Sequence, residues 1–442
     1  MIEYLKQAKP QPAAITQGIR DTVSEILRAV EKEGATAVRR YSEKLDGWNP
    51  PSFRVPAEEI RRAEESLDDA LKGHLQIARD QVRGFAELQR ATLTDVERET
   101  LPGVVLGQKH IPVNAVGSYS PGGRYPLIGS SIMTVVVPKV AGVKRVVAAA
   151  PPRLAQGIYP SQLYAMASSG ADDILCLGGV QALAALAYGI EDIPPVEPVD
   201  MIVGAGNAYV AEAKRQLFGT VGIDLLAGPT EIMVIADESA DPDLVAADLL
   251  GQAEHGPTSP AWLVTTSRAF GEAAARAVDR WLETWPTAEV AGEAWREVGA
   301  IILCEDDEEM AHVADRYAPE HLEVQTRDPG WFLARLTNYG SLFLGSHATV
   351  AYGDKGIGTN HVLPTGRAAR YTGGLWVGKF MKTVTYQTVT AEGDRQIAPT
   401  IDAIAEAELM KGHALTARLR LDGLDGLDGL DGLDGEARRA TV

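Results

Sequence analysis

The sequence predicts an α/β protein: two incomplete, Rossmann-like parallel-sheet domains with a helical N-terminal segment and a C-terminal helical arm. Three observations carry this. From residue 104 onward, short β-branched runs alternate with Ala-rich segments of helix length, and strands so separated imply parallel sheets with crossover helices. The first hundred residues are charge-rich, with apolar side chains at helical spacing. A chain of 442 residues that is 45% hydrophobic also has the material for more than one core.

In chain order, Val23, Ile26, Leu27 and Val30, then Ile60, Ala63 and Leu67, mark the helices of residues 1–100, expected to pack on the second α/β domain. The first α/β domain, 101–227, has strand-like runs at 145–150, 173–177 and 200–203. The second, 228–374, has them at 231–236, 261–265, 300–304 and 341–344. Residues 375–420 read as a separate helical arm that contains His413. Five Leu-Asp-Gly triplets fill 421–435, and the segment 421–442 reads as a disordered tail without a catalytic role.

A formal charge of -18 and a pI of about 5.0 oppose binding to nucleic acid or to an anionic membrane surface, which leaves a small molecule as the expected partner. Cys176 and Cys304 each lie in an apolar run, so neither belongs to a disulfide framework or a thiolate metal site, and a reducing cytoplasm fits. The first residues lack a basic segment followed by an apolar core. Lys139, Lys144 and Arg145 interrupt the longest apolar stretch, 132–151, so neither an export signal nor a membrane span is expected.

The chemistry concentrates in three stretches, Gln252-Ala-Glu-His255, Glu320-His321 and 354–361, which hold nitrogen and oxygen metal ligands beside a candidate proton-transfer pair. A helix starting near Pro242 and running through His255 would put Gln252 and His255 on one face, suited either to one ion or to ordinary capping and packing. A full Gly-x-Gly-x-x-Gly dinucleotide fingerprint is missing: in Gly204-Ala-Gly206-Asn207-Ala-Tyr209 a tyrosine replaces the third glycine. Two further glycine turns, Gly117-Ser-Tyr-Ser-Pro-Gly-Gly123 and Gly178-Gly-Val-Gln181, precede helix-like segments. They can present free N–H groups to phosphate or simply make tight turns.

In order, these turns together with Ala227-Gly-Pro-Thr-Glu231, Gln252-Ala-Glu-His255-Gly-Pro257, Ala318-Pro-Glu-His-Leu322 and Gly358-Thr-Asn-His-Val-Leu-Pro-Thr365 resemble the histidinol dehydrogenase family over roughly residues 15–420. The resemblance implies an NAD-dependent, zinc-requiring homodimer, with one Zn2+ per subunit, that oxidises a primary alcohol through an aldehyde to a carboxylate. It implies zinc ligands Gln252, His255, Asp354 and His413, with Glu320 and His321 as the catalytic acid–base pair. It places the cofactor near Tyr119, Gln181 and Asn207, and the substrate near Thr230 and Glu408. The arm carrying Glu408 and His413 is expected to complete the partner's active site.

His361 is expected to make a supporting hydrogen bond rather than to be a ligand. His74, His110, His312 and His347 show no acid or ligand context and read as surface or packing residues. The pattern departs from the family where Asp354 is followed by Lys355 instead of an aromatic residue. Residues 367–379 likewise look like the paralogues that act on sulfopropanediol. An ammonium group beside the metal would repel cationic histidinol and attract a sulfonate. The expected substrate is therefore a small anionic alcohol, with Lys355, and in second place Arg370 or Tyr371, near the anion. Oxidation of L-histidinol and a non-catalytic ligand-binding scaffold are the alternatives.

Overall fold

The computed structural model describes residues 2–9, 15–122, 125–192 and 194–422. Of the segment 421–442 expected to be disordered, Leu421 and Asp422 instead end the helix Lys411–Asp422, and the remainder, from 423 onward, lies outside the described residues. The described chain divides into two units, one drawn from Met1–Ala91 and Pro112–Phe380, the other from Thr92–Ile111 and Met381–Val442.

The larger unit contains two sheets. In the five-stranded sheet the order is Asp173–Cys176, Arg145–Ala150, Ala115–Tyr119, Met201–Val203, Gly222–Ile223, with every neighbour pair parallel. In the six-stranded sheet it is Glu3–Lys6, Ala300–Leu303, Ala261–Thr265, Ile232–Ala236, His321–Gln325, Ser341–Leu344, parallel except for the antiparallel Glu3–Lys6. The central strands are buried on both faces, as Ile232–Ala236 shows, which is why they read as continuous apolar runs. The predicted α/β class with two parallel sheets is the observed one.

Two boundaries differ from expectation. The N-terminal helices pack on the first sheet layer, not the second. Val23, Ile26, Leu27 and Val30 of helix Gln17–Glu33 share a core with Ala182, Leu183 and Leu186 of helix Gly179–Tyr188. The Ala-rich helix offers a shallow surface that the larger side chains fill. Only Glu3–Lys6 joins the six-stranded sheet. The first α/β layer also begins later than 101, because Val96–Leu101 and Val104–Pro112 pair as an antiparallel hairpin that forms a three-stranded sheet with Met381–Val389.

The smaller unit consists of that sheet and the helices Ala391–Ala407 and Lys411–Asp422, which pack against each other. The arm is thus not helical throughout. Met381–Val389 carries Thr383, Val384, Thr385, Thr388 and Val389, and β-branched side chains suit a pleated strand. Among the described residues no helix is long and apolar enough to cross a membrane.

Candidate active site

Glu320 and His321 sit at the start of the strand His321–Gln325, one strand in from the edge of the six-stranded sheet, and both are buried. The Glu320 carboxylate (Oε2) accepts from Thr230 Oγ1 at 2.6 Å and from the Glu231 N–H at 3.0 Å. Burial pushes its carboxyl up to about 7, against the pull of His321 and these hydrogen bonds. His321 Nδ1 lies 3.0 Å from the Glu231 carbonyl. A carbonyl only accepts, so Nδ1 carries a proton and Nε2 is the nitrogen that gains or loses the second one. Nε2 is buried without a hydrogen-bond partner in the chain and lies 3.6 Å from Asp354 Oδ1, an electrostatic distance. Burial lowers the His321 pKa, but the carboxylates of Glu320 and Asp354 outweigh it and raise it to about 9.

Three predicted ligands surround this imidazole. Gln252, buried near the end of helix Pro242–Ala253, donates from Nε2 to Thr230 Oγ1 at 2.5 Å, which leaves its amide oxygen available. Asp354, in helix Val350–Lys355, is held far below the usual carboxylate range: burial opposes ionisation, and His321, His361 and Lys355 overcome it. His255 has a lowered pKa, chiefly from burial with Asp354 opposing, so it is neutral and able to bind metal. It does not share a helical face with Gln252. The helix stops at Ala253, and the His255 N–H bonds back to the Gln252 carbonyl in the turn that follows.

An amide oxygen, an ionised carboxylate and a neutral imidazole are a donor set that suits zinc. Among the described residues no group of three His, Cys, Asp or Glu could hold a metal ion. Glu408 and His413 are in the other unit, at the end of helix Ala391–Ala407 and within Lys411–Asp422, and both are exposed there.

Thr230 bridges the pair and the ligand set through its two bonds to Glu320 and Gln252. His361 makes the expected supporting bond, 2.7 Å from Nε2 to Ser130 Oγ, with Nδ1 3.9 Å from Asp354 Oδ1. Ser130 belongs to helix Ile128–Ala141 of the five-stranded layer, so this bond ties the two layers together beside the site. At Gly129 in the same helix a Cβ would collide with the Asp354 carbonyl, and glycine permits the approach. Lys355 Nζ lies 3.9 Å from Asp354 Oδ2 with its side chain 64% exposed. Arg370 and Tyr371 are also exposed, and Arg370 Nε donates to the Arg367 carbonyl.

The predicted cofactor residues lie at the carboxyl ends of the five-stranded sheet, where nucleotides bind in open parallel sheets. Tyr119 ends its strand, and its hydroxyl accepts from the Gly179 N–H at 3.1 Å. Burial pushes that phenol up to about 12. Gly117 is therefore within a strand, not in a turn. Gln181 Nε2 donates to Asp46 at 2.9 Å, while its buried Oε1 has no partner. Asn207 caps helix Ala208–Leu217 through Oδ1. The turn before it is clamped: the Gly204 N–H donates to Asp224 at 2.7 Å, its carbonyl accepts from Lys214 Nζ at 2.8 Å, and Lys214 and Asp224 form a buried ion pair. At φ +121° with the Tyr119 carbonyl against it, position 204 requires glycine.

Sequence reasoning missed Glu231, whose carboxyl burial and Glu320 push up to about 8 and which accepts from the Gly366 N–H at 2.9 Å. Its place beside Thr230 in a quoted motif was the available signal. It also missed Asp46, Asp248 and Glu323, each with a partner far off in the chain, and the Lys214–Asp224 pair, which meets only across the Gly204 turn.

Parallel sheets with glycine turns at their carboxyl ends, together with a buried carboxyl–imidazole pair facing a set of hard ligands, define an oxidoreductase-like site. The histidinol dehydrogenase family profile matches residues 9–421, and the chain belongs to that family, whose members are NAD-dependent oxidoreductases acting on CH–OH groups. It is 52% identical to a histidinol dehydrogenase homolog of Shouchella clausii over 95% of this chain and 99% of that one. It is 49% identical to the sulfopropanediol 3-dehydrogenase of Ruegeria pomeroyi, covering 95% and 96%. The crystal structure of histidinol dehydrogenase from Elizabethkingia anophelis superposes with a TM-score of 0.88 at 33% identity, covering 95% of each chain.

Proposed function

We propose that this dehydrogenase oxidises a small anionic primary alcohol through the aldehyde to the carboxylate, with two NAD reduced, and that sulfopropanediol is the alcohol and sulfolactate the product. The observation that carries the reaction class is the unpartnered, buried Nε2 of His321. It faces Asp354 and can accept the hydroxyl proton while hydride leaves the same carbon for NAD held near Tyr119, Gln181 and Asn207. Glu320, with its carboxyl near neutrality, can then take a proton from water adding to the aldehyde, and the hydrated aldehyde gives up the second hydride. A zinc ion held by Gln252, His255 and Asp354 with the partner's arm would supply a Lewis acid for the hydroxyl and offset the Asp354 charge that, after that of Glu320, raises the His321 pKa.

The anionic substrate rests on the Lys355 ammonium beside Asp354 and on the similarity to the sulfopropanediol enzyme. Oxidation of L-histidinol remains the second reading, favoured by the match to the solved histidinol dehydrogenase. Dimerisation through the arm is part of the proposal. Ile404, Leu409 and Met410 are 51%, 81% and 44% exposed on it, an apolar surface beside Glu408 and His413 suited to a second copy. NADH formation by zinc-loaded protein on sulfopropanediol and on L-histidinol decides the substrate. Faster turnover per KM on histidinol overturns the anionic reading.

A further inference from the structure

The strand His321–Gln325 projects alternate side chains to the same face, so Glu323 and Gln325 lie beneath the same layer as His321. Glu323 is completely buried, and its partners are not cations. Oε1 accepts from the Val350 N–H at 3.0 Å and Oε2 from Gln325 Nε2 at 3.1 Å. Gln325 Nε2 also donates to Asp248 Oδ2 at 2.8 Å, and Asp248 Oδ1 accepts from Thr349 Oγ1 at 3.0 Å. Val350 opens the six-residue helix that carries Asp354, and Thr349 before it makes no side-chain bond to that helix. Glu323 therefore caps the helix from outside, and Asp248 holds the Thr349 hydroxyl just before it.

These contacts close a ring. The backbone runs from His321 to Glu323, Glu323 holds the Val350 N–H, the helix runs from Val350 to Asp354, and the Asp354 carboxylate returns to within 3.6 Å of His321 Nε2. We infer that Glu323, supported by Asp248, is a positioning residue that fixes the Asp354 carboxylate relative to His321 by anchoring the start of its helix. The inference rests on the reading of Asp354 as a metal ligand. Burial, and then the neighbouring Asp248 carboxyl, hold Glu323 well above the usual carboxylate range, so the pair retains a proton. A glutamine at 323 keeps the shape, the acceptor for the Val350 N–H and a donor toward Asp248, and gives up only the bond from Gln325; a leucine keeps the volume and loses both bonds.

The test compares full-length wild type with Glu323→Gln, Glu323→Leu and Asp354→Asn. It measures zinc affinity by chelator competition, amide exchange of residues 349–356 in metal-free protein, and NAD affinity by calorimetry. Glu323→Leu is expected to weaken zinc binding about 10-fold or more and to speed exchange at Val350, as loss of a group that orients a ligand does. Glu323→Gln should restore both, and NAD affinity should be unchanged in each. Zinc affinity or Val350 exchange in Glu323→Leu like the wild type's overturns the inference. So does equal damage from leucine and glutamine, or parallel loss of NAD binding, which marks a general structural fault. Asp354→Asn holding zinc like the wild type overturns the ligand reading underneath, and the inference with it.

Discussion

At the carboxyl edge of the five-stranded sheet, buried Lys214 faces buried Asp224, and the two together hold both polar groups of Gly204. At the carboxyl-rich side of the six-stranded sheet, Glu231, Glu320, Glu323 and Asp354 are buried around His321, with Asp248 half-buried beside them. The first arrangement is electrically complete and presents a rigid glycine turn. The second carries negative charge that the raised carboxyl pKa values and the one imidazole with a raised pKa, His321, only partly offset. One edge pairs its charges internally, whereas the other gathers carboxyl groups around one imidazole.

Breaking the charged side should produce the largest effect. His321→Ala or Glu320→Gln is expected to lower kcat by roughly 10²–10⁴, the usual contribution of a positioned acid or base, with NAD affinity unchanged. Steady-state NADH formation and calorimetry measure the two. Breaking the matched side should cost stability first. Lys214→Met leaves Asp224 buried and unpaired and should destabilise the chain by about 3–5 kcal/mol in denaturant unfolding, with weaker NAD binding from a loosened Gly204 turn.

The comparison sharpens with pH. Glu231 and Glu320 have raised carboxyl pKa values of about 8 and 7, and His321 a raised one of about 9. A raised pKa means that the folded state binds the proton more tightly than the unfolded chain does. The stability from each group is complete below its unfolded value and is lost as pH rises through the folded one. All three lose stabilisation together only from about pH 6.5, the unfolded value of histidine, to about 7, after which Glu231 continues to about 8 and His321 alone to about 9, so the melting temperature of metal-free protein should fall from about pH 6.5 to 9. A flat or rising profile contradicts the charge assignment.

The smallest expected effect is that of Lys355→Tyr. The ammonium is 64% exposed and screened, so an interaction of about 1 kcal/mol or less, a fewfold rise in KM for sulfopropanediol, is expected. An unchanged KM removes Lys355 from the pocket.

Much of the first comparison was legible in the sequence. Strands such as Arg145–Ala150, Ala261–Thr265 and Ser341–Leu344 are apolar runs with clear ends, and Pro242 after the capping Asp241 marks its helix start. Met381–Val389 escaped because it is largely exposed and its partner strand, Val104–Pro112, comes far earlier in the chain. The choice of sheet for the N-terminal helices depends on which Ala-rich helix accepts their side chains, and local periodicity is silent on that. In the site, Glu320, His321, Gln252 and Asp354 were found through motifs and are brought together. Glu323 was not, because its importance lies in a bond to a backbone N–H 27 residues away.

The most direct measurement is zinc titration of metal-free wild type and Asp354→Asn, with NADH formation followed at each point. The account predicts one zinc per wild-type chain, turnover that rises with occupancy, and a variant that fails in both. Full turnover without metal, or tight zinc binding by Asp354→Asn, would contradict it.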